Sequence, residues 1–383
     1  MNMPMNLKIA AANQRLSRKQ RGFSLVEMMV GVAIGLIATV AIVQMMVSSE
    51  SRKRTTASGS DAQISGVLGL FNLERDIRKA GHGFGTAPGN TMGCDVAATV
   101  SGVAIVPAVR LFPVEIIQGV GGAPDQIISF FGNSISLTAS QPISSSTATT
   151  KTLETRNGFQ RGDLVVVAGN ATAAMGSANC NLVEITGNTA ADGRSVEHLT
   201  GSYNDAYTNA ARIPLYNTAA GTGAIYTSGA MFNLGNQPRR TLWYIDNNRT
   251  LFSRETLSGA AGVEVAEGII DLQAEYGADS NADGLITDGG GGTPNEWVTA
   301  TPADWTRVRA IRVAVLSRSR HFDRDTVTPV APSWQGGNFV MTNLDGSAEA
   351  TVPLVAADNW RNYRYRVYEK VIPIRNLIWG TAP

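Results

Sequence analysis

Twenty-two consecutive residues, Met28–Ser49, carry no charge. As an α-helix rising about 1.5 Å per residue this run is ~33 Å long, close to the ~30 Å hydrocarbon thickness of a bilayer. A soluble domain has little use for such a segment, so the run predicts a membrane anchor. Residues 1–22, ahead of it, carry five basic residues (Lys8, Arg15, Arg18, Lys19 and Arg21) and no acid. The positive-inside rule keeps them cytoplasmic and sends everything after the anchor to the far side. A cleaved secretory signal fits less well, because the apolar run is long and no small-x-small site follows it. A plain anchor does not account for Glu27, a carboxylate at the edge of the apolar run, which is costly there unless paired.

The rest of the chain has a different character. The +1 formal charge hides an asymmetry: beyond the basic leader remain 27 basic and 31 acidic side chains. A mildly acidic body argues against wholesale wrapping of nucleic acid, whose affinity rests on phosphate neutralisation. Basic and aromatic residues alternate over Trp360–Arg366, where a solvated strand face is the simpler reading than base stacking. His82, His198 and His321 stand apart from any HExxH or nucleophile pattern, and surface or capping roles are expected for them. Neither Gly119–Gly122 nor Gly289–Gly292 precedes the Lys-Ser/Thr of a phosphate loop. Nothing in the chain points to an enzyme.

Helical periodicity continues past the anchor. Val67, Leu70, Leu73 and Ile77, with Ile64 and Phe71 beside them, form an apolar stripe predicted to pack on the chain's own domain. Glu74, Arg75, Asp76, Arg78 and Lys79 are expected on other faces, and Gly81-His82-Gly83 stops the helix. Gly31 and Gly35 form a GxxxG pair that permits close helix approach. After Gly85 short apolar runs alternate with turn residues. Strands are expected at Gln126–Phe131, Asp163–Ala168, Leu182–Thr186, Thr241–Ile245, Thr250–Arg254, Arg307–Arg318 and Tyr363–Ile374. Asp246–Arg249 reads as a tight turn in which asparagine takes positive φ. Residues 140–152 and 201–224 read as loops. The fold class is α+β: a long N-terminal helix on a β-rich, mainly antiparallel domain.

The seven residues Arg21-Gly22-Phe23-Ser24-Leu25-Val26-Glu27 resemble the type IV prepilin processing motif. The resemblance implies cleavage by a prepilin peptidase between Gly22 and Phe23, N-methylation of Phe23, and a subunit-assembly role for Glu27. The new Phe23 amine and Glu27 lie one helical turn apart, so the carboxylate can meet its own amine or a neighbour's. Leu73–Gly81, Leu242-Trp243-Tyr244 with its hairpin, Ile269–Gly277, Val308–Ser319 and Tyr365–Asn376 are similar to the PilW-type minor pilins; residues 86–225 add little. The implied organisation is leader 1–22, transmembrane half-helix 23–49, amphipathic half-helix 50–82 and exported domain 83–383. The implied place is a single-pass inner-membrane protein with a periplasmic C-terminal domain, later part of a pilus at the cell surface. Its implied partners are other minor pilins, the major pilin, the prepilin peptidase and the inner-membrane assembly platform, in support of pilus assembly, twitching motility and attachment. A minor pseudopilin of a type II secretion system, or a tip adhesin or DNA receptor, would share the same anchor.

Two further features stand outside that resemblance. Cys94 and Cys180, both beyond the anchor, can form one disulfide in an oxidising compartment or remain two buried thiols. No cofactor is required, but Asp279-Ser280-Asn281-Ala282-Asp283-Gly284 matches the front of a calcium loop. Asp279, Asn281, Asp283, Leu285, Thr287 and Asp288 are the candidate ligands, while Gly290 stands where an EF-hand has its bidentate glutamate. An acidic, glycine-rich turn is the alternative.

Overall fold

A computed structural model of the chain describes residues 22–135, 139–155, 158–169, 176, 178–188, 193–218, 225–344 and 358–378. Residues 1–21, almost all of the predicted leader, lie outside these. The chain divides into two compact units, Met1–Thr56 and Ala57–Pro383. Helix α1, Leu25–Ile77, contributes to both.

In the second unit the strands form three main sheets. The largest runs Ser195–Glu197, Thr150–Leu153, Gln141–Ser146, Gly229–Gly235, Leu164–Gly169, Cys180–Glu184, Asp95–Ala97, Val109–Arg110. A five-stranded sheet runs Val263–Glu267, Thr250–Glu255, Arg239–Ile245, Gln126–Phe131, Val114–Ile117. A four-stranded sheet runs Trp297–Val298, Ile269–Ala278, Val308–Arg318, Tyr365–Pro373. Among the described residues, Asp95–Ala97 and Cys180–Glu184 pair in parallel and the other pairings are antiparallel. The expected mainly antiparallel domain is therefore present.

The stem part of α1 packs on this domain through Leu70, Leu73 and Ile77 of the expected stripe, whereas Val67, with Ile64 and Phe71, is left outside. Ala62, Gly66, Gly69, Leu70, Leu73, Asp76, Ile77 and Ala80 are buried, recurring at three and four residues. Ile64, Val67, Leu68 and Phe71 are exposed. Close approach decides this. A Cβ at Gly66 would run into the Tyr368 ring, and one at Gly69 would lie 3.0 Å from Leu251 Cδ2. The small residues let helix and sheet meet where larger side chains cannot fit. Asp76, expected on a charged outer face, is only 9 % exposed, and burial pushes its carboxyl above the ordinary range against Arg75, Lys79 and Arg239. Glu74 ties the stem to the last strand through Lys370 Nζ at 2.7 Å.

Other expectations need correction. The Ser/Thr-rich stretch at 140–152 is a hairpin, Gln141–Ser146 with Thr150–Leu153, whose Ile143 and Leu153 face a second core. Within 201–224, Tyr203–Asn204 pairs with Ala211–Arg212, and the segment is held by the buried Glu184 carboxylate. That carboxylate accepts from Tyr203 Oη at 2.5 Å, Arg212 at 2.8 Å and the Leu215 amide at 2.8 Å. In the 246–249 turn the positive φ, 64°, belongs to Arg249 and not to an asparagine; Asp246 Oδ1 instead accepts the Asn248 and Thr250 amides.

Strand Leu164–Gly169 is buried on both faces, with Leu164, Val166 and Ala168 in the main core and Val165 and Val167 in the second. At the second core's margin His198 is 1 % exposed, a correction to the surface role expected for it. Both its ring nitrogens lack a hydrogen-bond partner among the described residues. Burial, with the Lys151 ammonium nearby, pushes His198 down to about 4. The unfolded chain takes up this proton below about pH 6.5 and the folded chain only near 4, so stability falls as pH drops through that interval. The expected loss is roughly 3 kcal/mol by pH 4. Urea unfolding at pH 7 and pH 4.5 should show a smaller pH effect in His198→Leu than in wild type.

Candidate functional site

The N-terminal half of α1 is built by its capping and its lack of breakers. Ser24 precedes the first helical residue, and its Oγ accepts the Val26 amide at 3.2 Å, satisfying one of the helix's orphan donors. Glu27 lies in the first turn, where a negative charge suits the helix dipole. No proline interrupts the run. Leu25–Glu50 is the one described helix long and apolar enough to cross a membrane. None of its side chains is buried: Phe23, Leu25, Met28, Val32, Ile37, Ile42 and Met46 are all exposed. A Cβ at Gly31 or Gly35 would meet nothing within 4 Å. Gly22, Phe23 and Glu27 thus sit at the start of an apolar helix surface that this unit leaves uncovered.

The stem adds a second uncovered surface, within the globular unit. Ile64, Val67, Leu68 and Phe71 stand at i, i+3, i+4 and i+7 and line an apolar groove with Gln63 and Tyr368. Of these, Ile64, Val67 and Phe71 belong to the stripe that periodicity marked as core. Here α1 is apolar on two faces, and the sheet takes only the one carrying the small residues.

The remaining predicted site residues lie apart from the helix. Cys94 and Cys180 are joined by a disulfide with Cα atoms 6.1 Å apart. It crosslinks the start of two neighbouring strands, with Val96 opposite Cys180. Residues 279–284 form a tight loop in which Asp279 Oδ2 accepts the Gly284 amide at 3.0 Å. Asn281 Oδ1 accepts the Asp283 amide at 3.1 Å, and Asp283 Oδ1 accepts the Leu285 amide at 2.8 Å. Asp288 is drawn away by Arg312 Nη1 at 2.5 Å, and the Thr287 hydroxyl donates to the Pro294 carbonyl at 2.7 Å.

Sequence reasoning missed Glu296, which is 1 % exposed. Its Oε1 accepts from the Ser280 amide at 2.7 Å and its Oε2 from the Thr287 amide at 3.1 Å. Burial alone would raise this carboxyl, but the Ser280 and Thr287 donors hold it below its ordinary value. Among the described residues no three His, Cys, Asp or Glu side chains converge as a ready metal centre. The aromatic residues of Trp360–Arg366 are largely enclosed: Trp360 and Tyr363 are buried, with Arg361 over the Trp360 ring and Arg318 over the Tyr363 ring. His82 bonds the Ser134 carbonyl at 2.8 Å.

One helix supplies both an exposed apolar N-terminal half and the stem of an antiparallel domain. Two family comparisons agree: residues 17–43 match the prokaryotic N-terminal methylation motif, and residues 234–376 match the type IV pilus-assembly protein W family. Over these two stretches the chain is similar to the PilW-like type IV pilins. No curated protein and no solved structure matches it. The second match takes in the Arg239–Ile245 hairpin, the four-stranded sheet and the 279–296 loop, whereas residues 86–225 lie outside both matches.

Proposed function

We propose that this protein is a minor pilin that acts in priming or capping type IV pilus assembly. The observation that carries the reading is the uncovered apolar surface along α1, from Phe23 to Met46 and again at Ile64–Phe71. Lipid can cover the first stretch before assembly, and neighbouring pilin helices can cover it afterwards. In this reading a prepilin peptidase cuts after Gly22, Phe23 is N-methylated, and Glu27 neutralises the new amine on its own or a neighbouring subunit. That pairing offsets two charges that are costly in an apolar helix bundle and sets the axial register. The anchor lies in the inner membrane with the domain periplasmic, where the assembly platform and the other pilins would meet it. The large exported domain, against a compact unit of ~100–150 residues, suits a tip better than repeated packing in a shaft. Twitching and attachment would then follow from pilus formation.

The test is a deletion strain scored for surface pili and complemented with wild type or Glu27→Ala. Glu27→Ala is expected to reach the membrane at wild-type level and to restore few or no pili. Normal piliation by that variant would overturn the role of Glu27. Normal piliation in the deletion strain, with loss of surface binding alone, would favour an adhesin over an assembly subunit.

A further inference from the structure

The buried Asp279 side chain needs a partner that the protein does not supply. It is 1 % exposed, and its Oδ1 has no hydrogen-bond partner among the described residues. Its other oxygen takes the Gly284 amide at 3.0 Å, so the carboxylate is directed into the 279–284 loop. The nearest cation on that side, Arg309 Nη2, stands 3.7 Å from Oδ2 and leaves Oδ1 unmatched. An ionised carboxylate buried with one oxygen bare is costly. Asn281 and Asp283 lie on the exposed rim of the same loop, with their side chains 2.8 Å apart.

We propose that this loop binds a calcium ion through Asp279 Oδ1, the Asn281 side-chain oxygen, the Asp283 carboxylate and the Leu285 main-chain carbonyl, with water completing the shell. Calcium takes six to eight oxygens, neutral ones included, so the site does not need three clustered acids. Glu296 is the clamp and not a ligand. Its oxygens are taken by Ser280 and Thr287, one on each side of Asp283, so it ties the two ends of the loop together and adds negative charge. Asp288 drops out of the ligand set because its charge is paired with Arg312, and Thr287 because its hydroxyl lies against Glu296 and the Pro294 carbonyl. Arg307, which donates to the Ser280 carbonyl at 2.8 Å, and Arg309 bring positive charge to the inner side of the loop. With no twelfth-position glutamate and two arginines nearby, affinity falls in the weak, extracellular range of about 0.1–1 mM.

The test uses the full-length protein in detergent, melted in chelator and in about 10 mM calcium or magnesium chloride, well above that affinity range. Ten-fold saturation of a folded-state site should raise the midpoint by about 3 °C. Magnesium should do much less, because it demands a tighter octahedral cage. Asp283→Asn keeps the oxygen that accepts the Leu285 amide, so it folds and loses only the charge; its calcium shift should shrink by at least half. Asp279→Asn should abolish the shift. No shift in wild type, an equal shift with magnesium, or an undiminished shift in Asp283→Asn would each overturn the proposal.

Discussion

Replacing both Cys94 and Cys180 with alanine is expected to lower the unfolding free energy of the globular unit by about 4–5 kcal/mol. The bond spans 86 residues of sequence. Closing a loop of that length removes much of the unfolded chain's freedom, and the cost is recovered when the crosslink is cut. Both cysteines are buried, so alanine also forfeits packing where the Asp95–Ala97 and Cys180–Glu184 strands meet. A thermal melt of full-length protein should show a drop of roughly 10 °C for the double variant. Reductant should shift wild type similarly and leave the variant unchanged. Coincident melts of oxidised wild type and variant would show that the crosslink carries no stability. The crosslink also ties the large sheet, which lies mostly outside the PilW match, to the segment that follows the stem.

Arg312→Met should cost about 3–5 kcal/mol, because it strands a buried carboxylate. Arg312 is 4 % exposed and gives two hydrogen bonds to Glu275 Oε2, at 3.0 and 2.6 Å. Its guanidinium lies 4.5 Å from the Trp297 ring centroid and 5.6 Å from that of Trp334. Removing the arginine leaves Glu275 charged in a poorly solvated place, whereas Asp288 stays in water. The double variant Arg312→Met/Glu275→Gln should recover much of the loss, since a pair replaced together leaves no bare charge. Urea unfolding of the single and double variants measures this directly; an additive double variant would show that the two side chains do not depend on each other.

Arg312 also shows where sequence pattern stops being informative. Alternation in Arg307–Arg318 puts Ile311, Val313 and Val315 on one face and Arg312 on the other, and the first face does enter the main core. The other face holds Arg312 and Arg318 among Ala314 and Leu316, which pack against Phe339. A segment more than fifteen residues further along the chain folds back over that face, which period-two patterning cannot register. His198 is a similar case: an isolated histidine carries no sequence mark of being buried. The hairpin at 141–153 was hidden because Ser and Thr serve strands and loops alike, and its buried residues are only Ile143, Lys151 and Leu153.

The candidate site divides in the same way. Residues 22–49 were legible because their information is local: a short motif and a run whose length matches a bilayer. Those properties hold wherever the rest of the chain goes, so the apolar helix and the likeness to pilins could be read directly. The stem could be resolved only in part, since apolar residues occupy two of its faces: Leu70, Leu73 and Ile77 of the expected stripe are buried, and Ile64, Val67 and Phe71 are not. The sheet chose Ala62, Gly66 and Gly69 because only small residues allow backbone and strand to come close, and that choice left Ile64, Val67, Leu68 and Phe71 exposed. Likewise the motif at 279–284 was visible as spacing, but Glu296 reached it through a turn, and only the fold brought the two together. The sequence by itself determined an apolar helix with a likeness to a pilin's anchor; the tertiary structure decided which faces that helix has left to offer, because close contact at Gly66 and Gly69 selects between its apolar faces.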